Sequence, residues 1–251
     1  MSQPSRDGIP GYVAERIRQP PPASVRVVPG STPVVAFGDP RRSQAATLGL
    51  NPSKREFFEK GRELDGRLRR FETLGSLELD RLDDAPDEAV ERVWQRCNTY
   101  FRGNPYNWFG RLEEVLNAVG ASYFGDTACH LDLSQWATDP TWNGLRPEER
   151  SRLITDDVNF LRTQLRSEPI RLLLLNGRGV LSAFTSIVGG EVHREGAPVS
   201  DATVTCRVYI GSFESVHVIG WSTNLQSSFG VTTALRRKLA ERVAELAAPL
   251  T

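Results

Sequence analysis

Four short apolar segments, each followed by a polar turn, limit the folds that are open to this chain. They cover residues 45–50, 127–133, 171–176 and 216–221. The sequence between them carries apolar residues at helical spacing, as in residues 147–166. Strands that alternate with helices are typical of a parallel sheet that is covered on both faces. We therefore predict an α/β fold, a three-layer α/β/α sandwich around a central, mostly parallel, four-stranded sheet.

The polar turns bring hydrogen-bonding side chains to one edge of this predicted sheet. Asn51, Asp132 and Asn176 end three of the apolar segments, and a turn at residues 222–224 ends the fourth. The carboxyl ends of parallel strands share a rim, and ligands bind in the crevices just outside it. Pro52 keeps Asn51 extended and prevents the strand from continuing. The sequence therefore predicts a functional cleft at this rim.

The composition narrows the classes of function. The 251 residues include 31 basic and 31 acidic side chains, so any contact with nucleic acid needs a local positive patch. The three cysteines lie far apart without a C-x-x-C pair, which argues against zinc ribbons and iron–sulfur clusters. We predict no metal and no cofactor. An odd cysteine count without a secretory leader, and no apolar run of membrane-spanning length, predict a cytoplasmic monomer without membrane contact.

The chain is predicted to form one domain preceded by an arm. Residues 1–31 are rich in proline, serine and arginine, and are expected to be either a poorly ordered arm or a wrapping segment. Residues 32–251 form the domain, with an edge strand at 32–37 and a helical insertion at about 54–100. A β-hairpin is expected at 190–212, followed by the last core strand and a final helix. The insertion is a candidate surface for a protein partner.

Four pieces of the sequence carry a family resemblance through their order and spacing. They are Gly-Leu-Asn-Pro at 49–52, Tyr-Phe-Arg-Gly-Asn-Pro-Tyr-Asn-Trp-Phe at 100–109, Cys-His-Leu-Asp-Leu-Ser at 129–134, and the polar turn at 222–227. Together they resemble the uracil-DNA glycosylase superfamily, as a divergent member closest to its mismatch-specific uracil/thymine branch. The final piece lacks the His-Pro-Ser of most members, and Asp132 stands where an asparagine is expected.

The resemblance implies a uracil-DNA glycosylase-like fold and a DNA base-excision glycosylase. Such an enzyme hydrolyses the N-glycosidic bond of a flipped, damaged or mispaired base in duplex or single-stranded DNA. Asn51 would orient the attacking water, Phe101 would stack on the base and Asp132 would bind its edge. Because a carboxylate only accepts hydrogen bonds, Asp132 favours a base edge rich in N–H groups over plain uracil. The other implied contacts are Gly49 and Asn224 with the base, and Ser222, Ser227 and the wedge residue Leu225 with the DNA.

Each of these assignments has a structural alternative. Asn51 with Pro52 is also a common turn pair, and Phe101 could be a core aromatic. Leu225 could be a hydrophobic staple for the final helix, and Ser227 or Ser228 its N-cap. The whole protein could be a non-catalytic nucleic-acid or nucleotide-binding protein with a glycosylase-like fold, or an unrelated nucleotide-processing hydrolase. DNA binding would need a local positive rim, which we predict from Lys54, Arg55, Arg102 and Arg178.

Overall fold

A six-stranded sheet forms the centre of the computed structural model, which describes residues 8–103, 108–226 and 230–248. The strands are β1 (Ala45–Gly49), β2 (Phe58–Glu59), β3 (Arg62–Glu63), β4 (Ala128–Asp132), β5 (Leu172–Asn176), β6 (Glu191–Arg194), β7 (Val199–Ser200), β8 (Thr205–Cys206), β9 (Val208–Phe213) and β10 (Val216–Trp221). The central sheet has the order β4-β1-β5-β10-β9-β6, while β2 pairs with β3 and β7 pairs with β8 in separate hairpins.

Four of the six central strands run parallel, which confirms the predicted α/β class and the mostly parallel sheet. β1 pairs with β4 on one side and β5 on the other, so that Ala45 lies beside both Ala128 and Leu172. β10 pairs with β5 in parallel, with Trp221 beside Asn176. The predicted count of four strands is wrong, because β9 and β6 extend the sheet from β10 in antiparallel pairing.

Helices cover both faces of this sheet and make it the middle of three layers. Leu172 and Leu174 pack in one hydrophobic cluster with α3 (Asp87–Asn98), α5 (Gly110–Ala118) and α8 (Thr233–Ala247). Leu173 and Leu175 pack in another cluster with α6 (Pro147–Ser167) and α7 (Arg178–Ala183). This division follows from the alternation of side chains along a strand. The helices are α1 (Gly11–Arg18), α2 (Leu74–Leu77), α3 (Asp87–Asn98), α4 (Tyr100–Gly103), α5 (Gly110–Ala118), α6 (Pro147–Ser167), α7 (Arg178–Ala183) and α8 (Thr233–Ala247), with a π-helical turn at Phe184–Val188.

The N-terminal segment is an ordered part of the domain from residue 8 onward, rather than a poorly ordered arm. Helix α1 packs against α3 and α6. Val13 and Ile17 lie four residues apart on one helix face, and both are fully buried. The alternative of a wrapping segment therefore describes residues 8–31, while residues 1–7 lie outside the described ranges.

Two local predictions near the N-terminus are wrong. Residues 32–37 form no strand, and only Phe37 makes a single antiparallel bridge to His130 at the edge of the sheet. The insertion is helical only from α3 onward, because residues 54–84 form short turns, the β2–β3 hairpin and the one-turn α2. Its dense charge is held in ion pairs instead, for example around Glu72, which accepts from Arg92 and Arg96. None of the described helices is long and apolar enough to cross a bilayer.

Candidate functional site

A cleft of about 310 Å³ opens at the carboxyl ends of β1, β4 and β5. The chain passes from β1 to β4 on one side and then crosses to β5 on the other, so the strand order reverses at this point. Such a switch point leaves a crevice that is a common ligand site in open α/β sheets. The cleft is lined by Gly49, Leu50, Asn51, Pro52, Ser53, Lys54, Trp108, His130, Asp132, Thr138, Thr141, Trp142, Asn143, Asn176, Val180, Asn224 and Gln226.

The side chain of Asn51 is held in one orientation at the wall of the cleft. Its Nδ2 donates to the carbonyl oxygen of Trp136 and to Oγ1 of Thr138, both at 3.1 Å. Because both amide protons are used, Oδ1 is the free end of the group, and none of the described residues donates to it. The arrangement leaves one fixed hydrogen-bond acceptor for a water or a ligand in the cleft.

Gly49 allows Asp132 and His130 to approach the backbone at the base of the cleft. A Cβ on Gly49 would overlap Oδ1 of Asp132 and would lie 2.8 Å from Nε2 of His130. His130 and Asp132 are two residues apart on β4, so their side chains share one face of the sheet. Both are nearly buried, with His130 Nε2 lying 3.4 Å from Asp132 Oδ1. The glycine in the Gly-Leu-Asn-Pro turn is therefore required by the packing of this pair.

A buried chain of hydroxyl groups fixes the ring of His130 from the other side. Its Nδ1 lies 2.6 Å from Oγ1 of Thr47, which in turn contacts the hydroxyl of Tyr123. Burial raises the pKa of Tyr123 well above its usual value, so the phenol keeps its proton. An Nε2 lone pair facing the Asp132 carboxylate would be repelled. The favourable tautomer therefore has Nε2–H towards Asp132, with Thr47 donating to Nδ1 and Tyr123 donating to Thr47.

Asn176 organises the turn that closes the opposite wall. Its Nδ2 donates to Oδ1 of Asn224 at 2.9 Å and to Oε1 of Gln226 at 3.0 Å. Its Oδ1 accepts from Nε1 of Trp221 and the backbone N–H of Leu225, both at 3.0 Å. All four hydrogen-bonding positions of this buried amide are thus satisfied within the protein, which makes Asn176 a support for the wall.

The structure brings four of the predicted site residues together in one cleft: Gly49, Asn51, Asp132 and Asn224. This confirms the expectation that Asn51 and Asn224 lie at the same rim. Phe101 does not join them. Its ring is buried in the core and stacks on Tyr123, with centroids 4.4 Å apart. The placement of Phe101 at a base-binding site is therefore wrong, and the core alternative holds.

Among the described residues, Trp108 and Trp142 supply the indole rings that line the cleft. Trp108 is 45% exposed, which is unusual for such a large apolar residue. Trp108 belongs to the same aromatic-rich segment as Phe101. The sequence therefore indicated which segment supplies an aromatic ring to the cleft, but not which residue of that segment. Asn143 and Gln226 are further cleft residues that sequence analysis missed, because they come from a loop and a turn without periodicity.

The predicted DNA-contacting residues of the last turn lie elsewhere. Leu225 is fully buried in the core, so its predicted role as an exposed wedge is wrong for this conformation. Ser222 pairs with the backbone of Arg207, accepting from its N–H at 2.9 Å, and does not line the cleft. Ser227 lies outside the described residues. The N-cap of the final helix is Thr232, whose hydroxyl accepts from the N–H of Leu235, rather than Ser227 or Ser228.

Only part of the predicted positive rim lies at the cleft. Lys54 lines it but is paired with Asp139, and Arg102 is paired with Asp126 away from the lining residues. Arg55 and Arg178 are exposed and make no ion pair with any described residue. Exposed Arg207, which precedes β9 beside the end of β10, is another such cation that sequence analysis missed.

No cluster of three or more metal-ligating side chains occurs among the described residues.

Comparison with known protein families gives no match for this chain, and comparison with curated proteins gives none either. The chemistry of the cleft must therefore be argued from its own residues.

The tight packing against Gly49 leads to a specific expectation. Gly49→Ala should displace the Asp132 and His130 side chains and lower the free energy of unfolding by about 1–3 kcal/mol, since overpacking costs this much in a well-packed interior. Urea unfolding measures the change. Gly110→Ala is the matched control, because a Cβ there meets nothing within 4 Å. Equal stability of the two variants would show that Asp132 and His130 move aside freely.

Proposed function

We propose that this protein is a DNA base-excision glycosylase with a uracil-DNA glycosylase-like fold. The observation that carries the proposal is the fixed amide of Asn51 at the end of β1, whose Oδ1 accepts from none of the described residues in the cleft that Asp132 also lines. The Gly-Leu-Asn-Pro turn that holds this amide is also the first piece of the family resemblance. The residues that carry the family resemblance in the sequence are thus the residues that form this part of the cleft in the structure.

In the proposed reaction, water attacks C1′ of the sugar while the N-glycosidic bond breaks and its electron pair leaves with the base. Oδ1 of Asn51 accepts a hydrogen bond from this water and holds it below the sugar. An amide is a weak base, so catalysis depends on orientation and on fixed dipoles around an oxocarbenium-like sugar. The departing base takes up a proton, and the attacking water loses one after the new C–O bond has formed.

The flipped base is proposed to enter between polar and aromatic walls. Trp108 and Trp142 provide indole faces of the kind on which extruded bases stack. Asp132 and Asn224 face the base edge, and Gln226 extends the same wall. Arg178 and Arg207 are candidates for contact with phosphates, because neither is neutralised by a described acidic residue.

Replacing Asn51 tests the proposed catalysis directly. Asn51→Ala should lower single-turnover excision on the order of 10²-fold, as expected for the loss of one preorganised polar group. Affinity for the same oligonucleotide should stay within about twofold, because the amide acts on water rather than on phosphate. The assay uses oligonucleotides that carry uracil, thymine mismatches, hypoxanthine or guanine lesions, followed by alkaline cleavage of abasic sites.

Asn159→Ala, on the exposed face of α6, is the matched control and should leave both rate and affinity unchanged. Binding should weaken steeply with salt if the exposed arginines contact phosphates. Absence of excision on every substrate would overturn the proposal. An excision rate that is unaffected by Asn51→Ala would reduce Asn51 to a turn residue.

The burial of Leu225 favours a second candidate function. A glycosylase that extracts a base from duplex DNA needs a group to fill the vacated stack, and Leu225 is not exposed to do so. A non-catalytic protein that binds a nucleotide or an already single-stranded base in the same cleft needs no such wedge. Salt-dependent binding of single-stranded DNA without excision would support this alternative.

A further inference from the structure

Asp132 has unused hydrogen-bonding capacity at the base of the cleft. Its side chain is only 3% exposed, yet no described residue donates a hydrogen bond to either carboxylate oxygen. Nε2 of His130 is 3.4 Å from Oδ1, which is longer than a normal N–H···O bond. A buried carboxylate without donors is unfavourable, and native structures rarely keep one unless a ligand completes it.

We infer that Asp132 selects a nucleobase whose edge carries two adjacent N–H donors, as the N1–H and N2–H groups of guanine do. This inference rests on the proposed function of the cleft. Two parallel N–H groups can bind both oxygens of one carboxylate, and such bidentate contacts are strong and geometrically specific. Uracil offers a single N–H between two carbonyl oxygens, and hypoxanthine offers a single N–H beside one carbonyl oxygen. Neither base can donate to both carboxylate oxygens, and the carboxylate repels the carbonyl oxygens.

The groups around Asp132 suit a carboxylate that accepts hydrogen bonds from a ligand rather than from other residues of the protein. The chain from Tyr123 through Thr47 fixes the ring of His130, which lines the cleft beside the carboxylate. Gly49 removes the Cβ that would otherwise displace the carboxylate. The free ends of Asn143 and Asn224 lie in the same cleft and can bind the carbonyl and ring nitrogen of a purine.

The inference is tested by the ranking of three ligands in the wild-type protein. Deoxyguanosine, deoxyinosine and deoxyuridine are titrated while tryptophan fluorescence is followed, since Trp108 and Trp142 line the cleft. Deoxyguanosine should bind about tenfold or more tightly than deoxyinosine, which lacks only the N2 amino group. Deoxyuridine should bind as weakly as deoxyinosine. Equal affinity for all three would overturn the inference without any variant.

Asp132→Asn should remove this preference, because an amide supplies one acceptor and one donor and cannot accept from two adjacent N–H groups, whereas it matches the N–H beside a carbonyl that all three ligands carry. A general loss of structure would weaken all three ligands together, whereas loss of the carboxylate weakens deoxyguanosine and leaves deoxyinosine and deoxyuridine bound at least as well. Asp139→Asn is the matched control at an exposed carboxylate near the cleft, and it should keep the wild-type ranking. Thermal melting of both variants verifies folding.

The two proposals fail separately. A guanosine preference that is lost in Asp132→Asn, without excision of any base, supports the inference and overturns the glycosylase. Excision of uracil at equal rates in wild type and Asp132→Asn supports the glycosylase and overturns the inference. If both hold, 8-oxoguanine or 7-methylguanine is excised in preference to uracil, because both lesions retain the N1–H and N2–H groups.

Discussion

Replacing Arg16 with methionine is expected to lower the free energy of unfolding by about 3–5 kcal/mol, the usual cost of breaking a buried ion pair by removing one partner. Arg16 donates to Oδ1 of Asp157 at 2.6 Å and to Oε1 of Gln135 at 3.0 Å. Both charged side chains are at most 4% exposed. Burial raises the pKa of Asp157 and lowers that of Arg16, and their attraction opposes both shifts. Without Arg16 the carboxylate keeps only neutral donors, Ser134 and the N–H of Gln135.

This loss should extend to the cleft. The segment from Ser134 to Thr138 carries both acceptors that hold Asn51, so a displaced Gln135 or Trp136 would release the amide. Urea unfolding measures the stability, and ligand affinity measures the effect on the cleft. Arg18→Met on the same helix is the control. Its ion pair with Asp87 is exposed, so it should cost less than about 1 kcal/mol.

The double variant Arg16→Met/Asp157→Leu separates two explanations. If the cost arises from the unpaired carboxylate, removing the carboxylate as well should recover much of the stability. If the double variant is no more stable than Arg16→Met, the pair itself stabilises the fold. A single variant that unfolds like the wild type would show that α1 is not anchored through Arg16.

Glu56 is expected to lower the stability of the protein as the pH rises from about 4.5 to about 7. Its side chain is 2% exposed, and burial raises its pKa to about 7 against the opposing effects of Arg70 and Tyr100. The folded state holds this proton more tightly than the unfolded state. Each increase in pH between the pKa of the unfolded state and the raised pKa of the folded state therefore lowers the free energy of unfolding. The total change is about 3 kcal/mol, and it is complete above the raised pKa.

Glu56→Gln removes this titration and should flatten the dependence. The free energy of unfolding is measured in urea at several values from about pH 5 to about pH 8 for both proteins. Relative to the wild type, the variant should gain stability as the pH rises. Glu59→Gln is the control, because Glu59 lies in the same insertion but is exposed. A difference between wild type and Glu56→Gln that is constant with pH would mean that Glu56 is ionised throughout.

Sequence alone determined the parallel strands and the residues that end them. Apolar segments such as 172–175 fit only a strand that is buried on both faces, and alternation along a strand is a local property. The turns after β1, β4 and β5 then had to meet at one rim, because parallel strands share their carboxyl ends. That rule is sufficient to place Asn51, Asp132 and Asn176 around one cleft.

Tertiary structure decided which side chain of each segment reaches the cleft and which joins the core. Phe101 and Trp108 are both large and aromatic, but Phe101 packs against Tyr123, which lies beyond α5, whereas Trp108 is 45% exposed. Leu225 is likewise buried by residues distant in sequence. The state of the Asp132 carboxylate, which accepts a hydrogen bond from no described residue, is also non-local, since it depends on where His130 and Gly49 lie in space. Periodicity describes only the chain itself, whereas burial and hydrogen bonding depend on neighbours that the fold brings together.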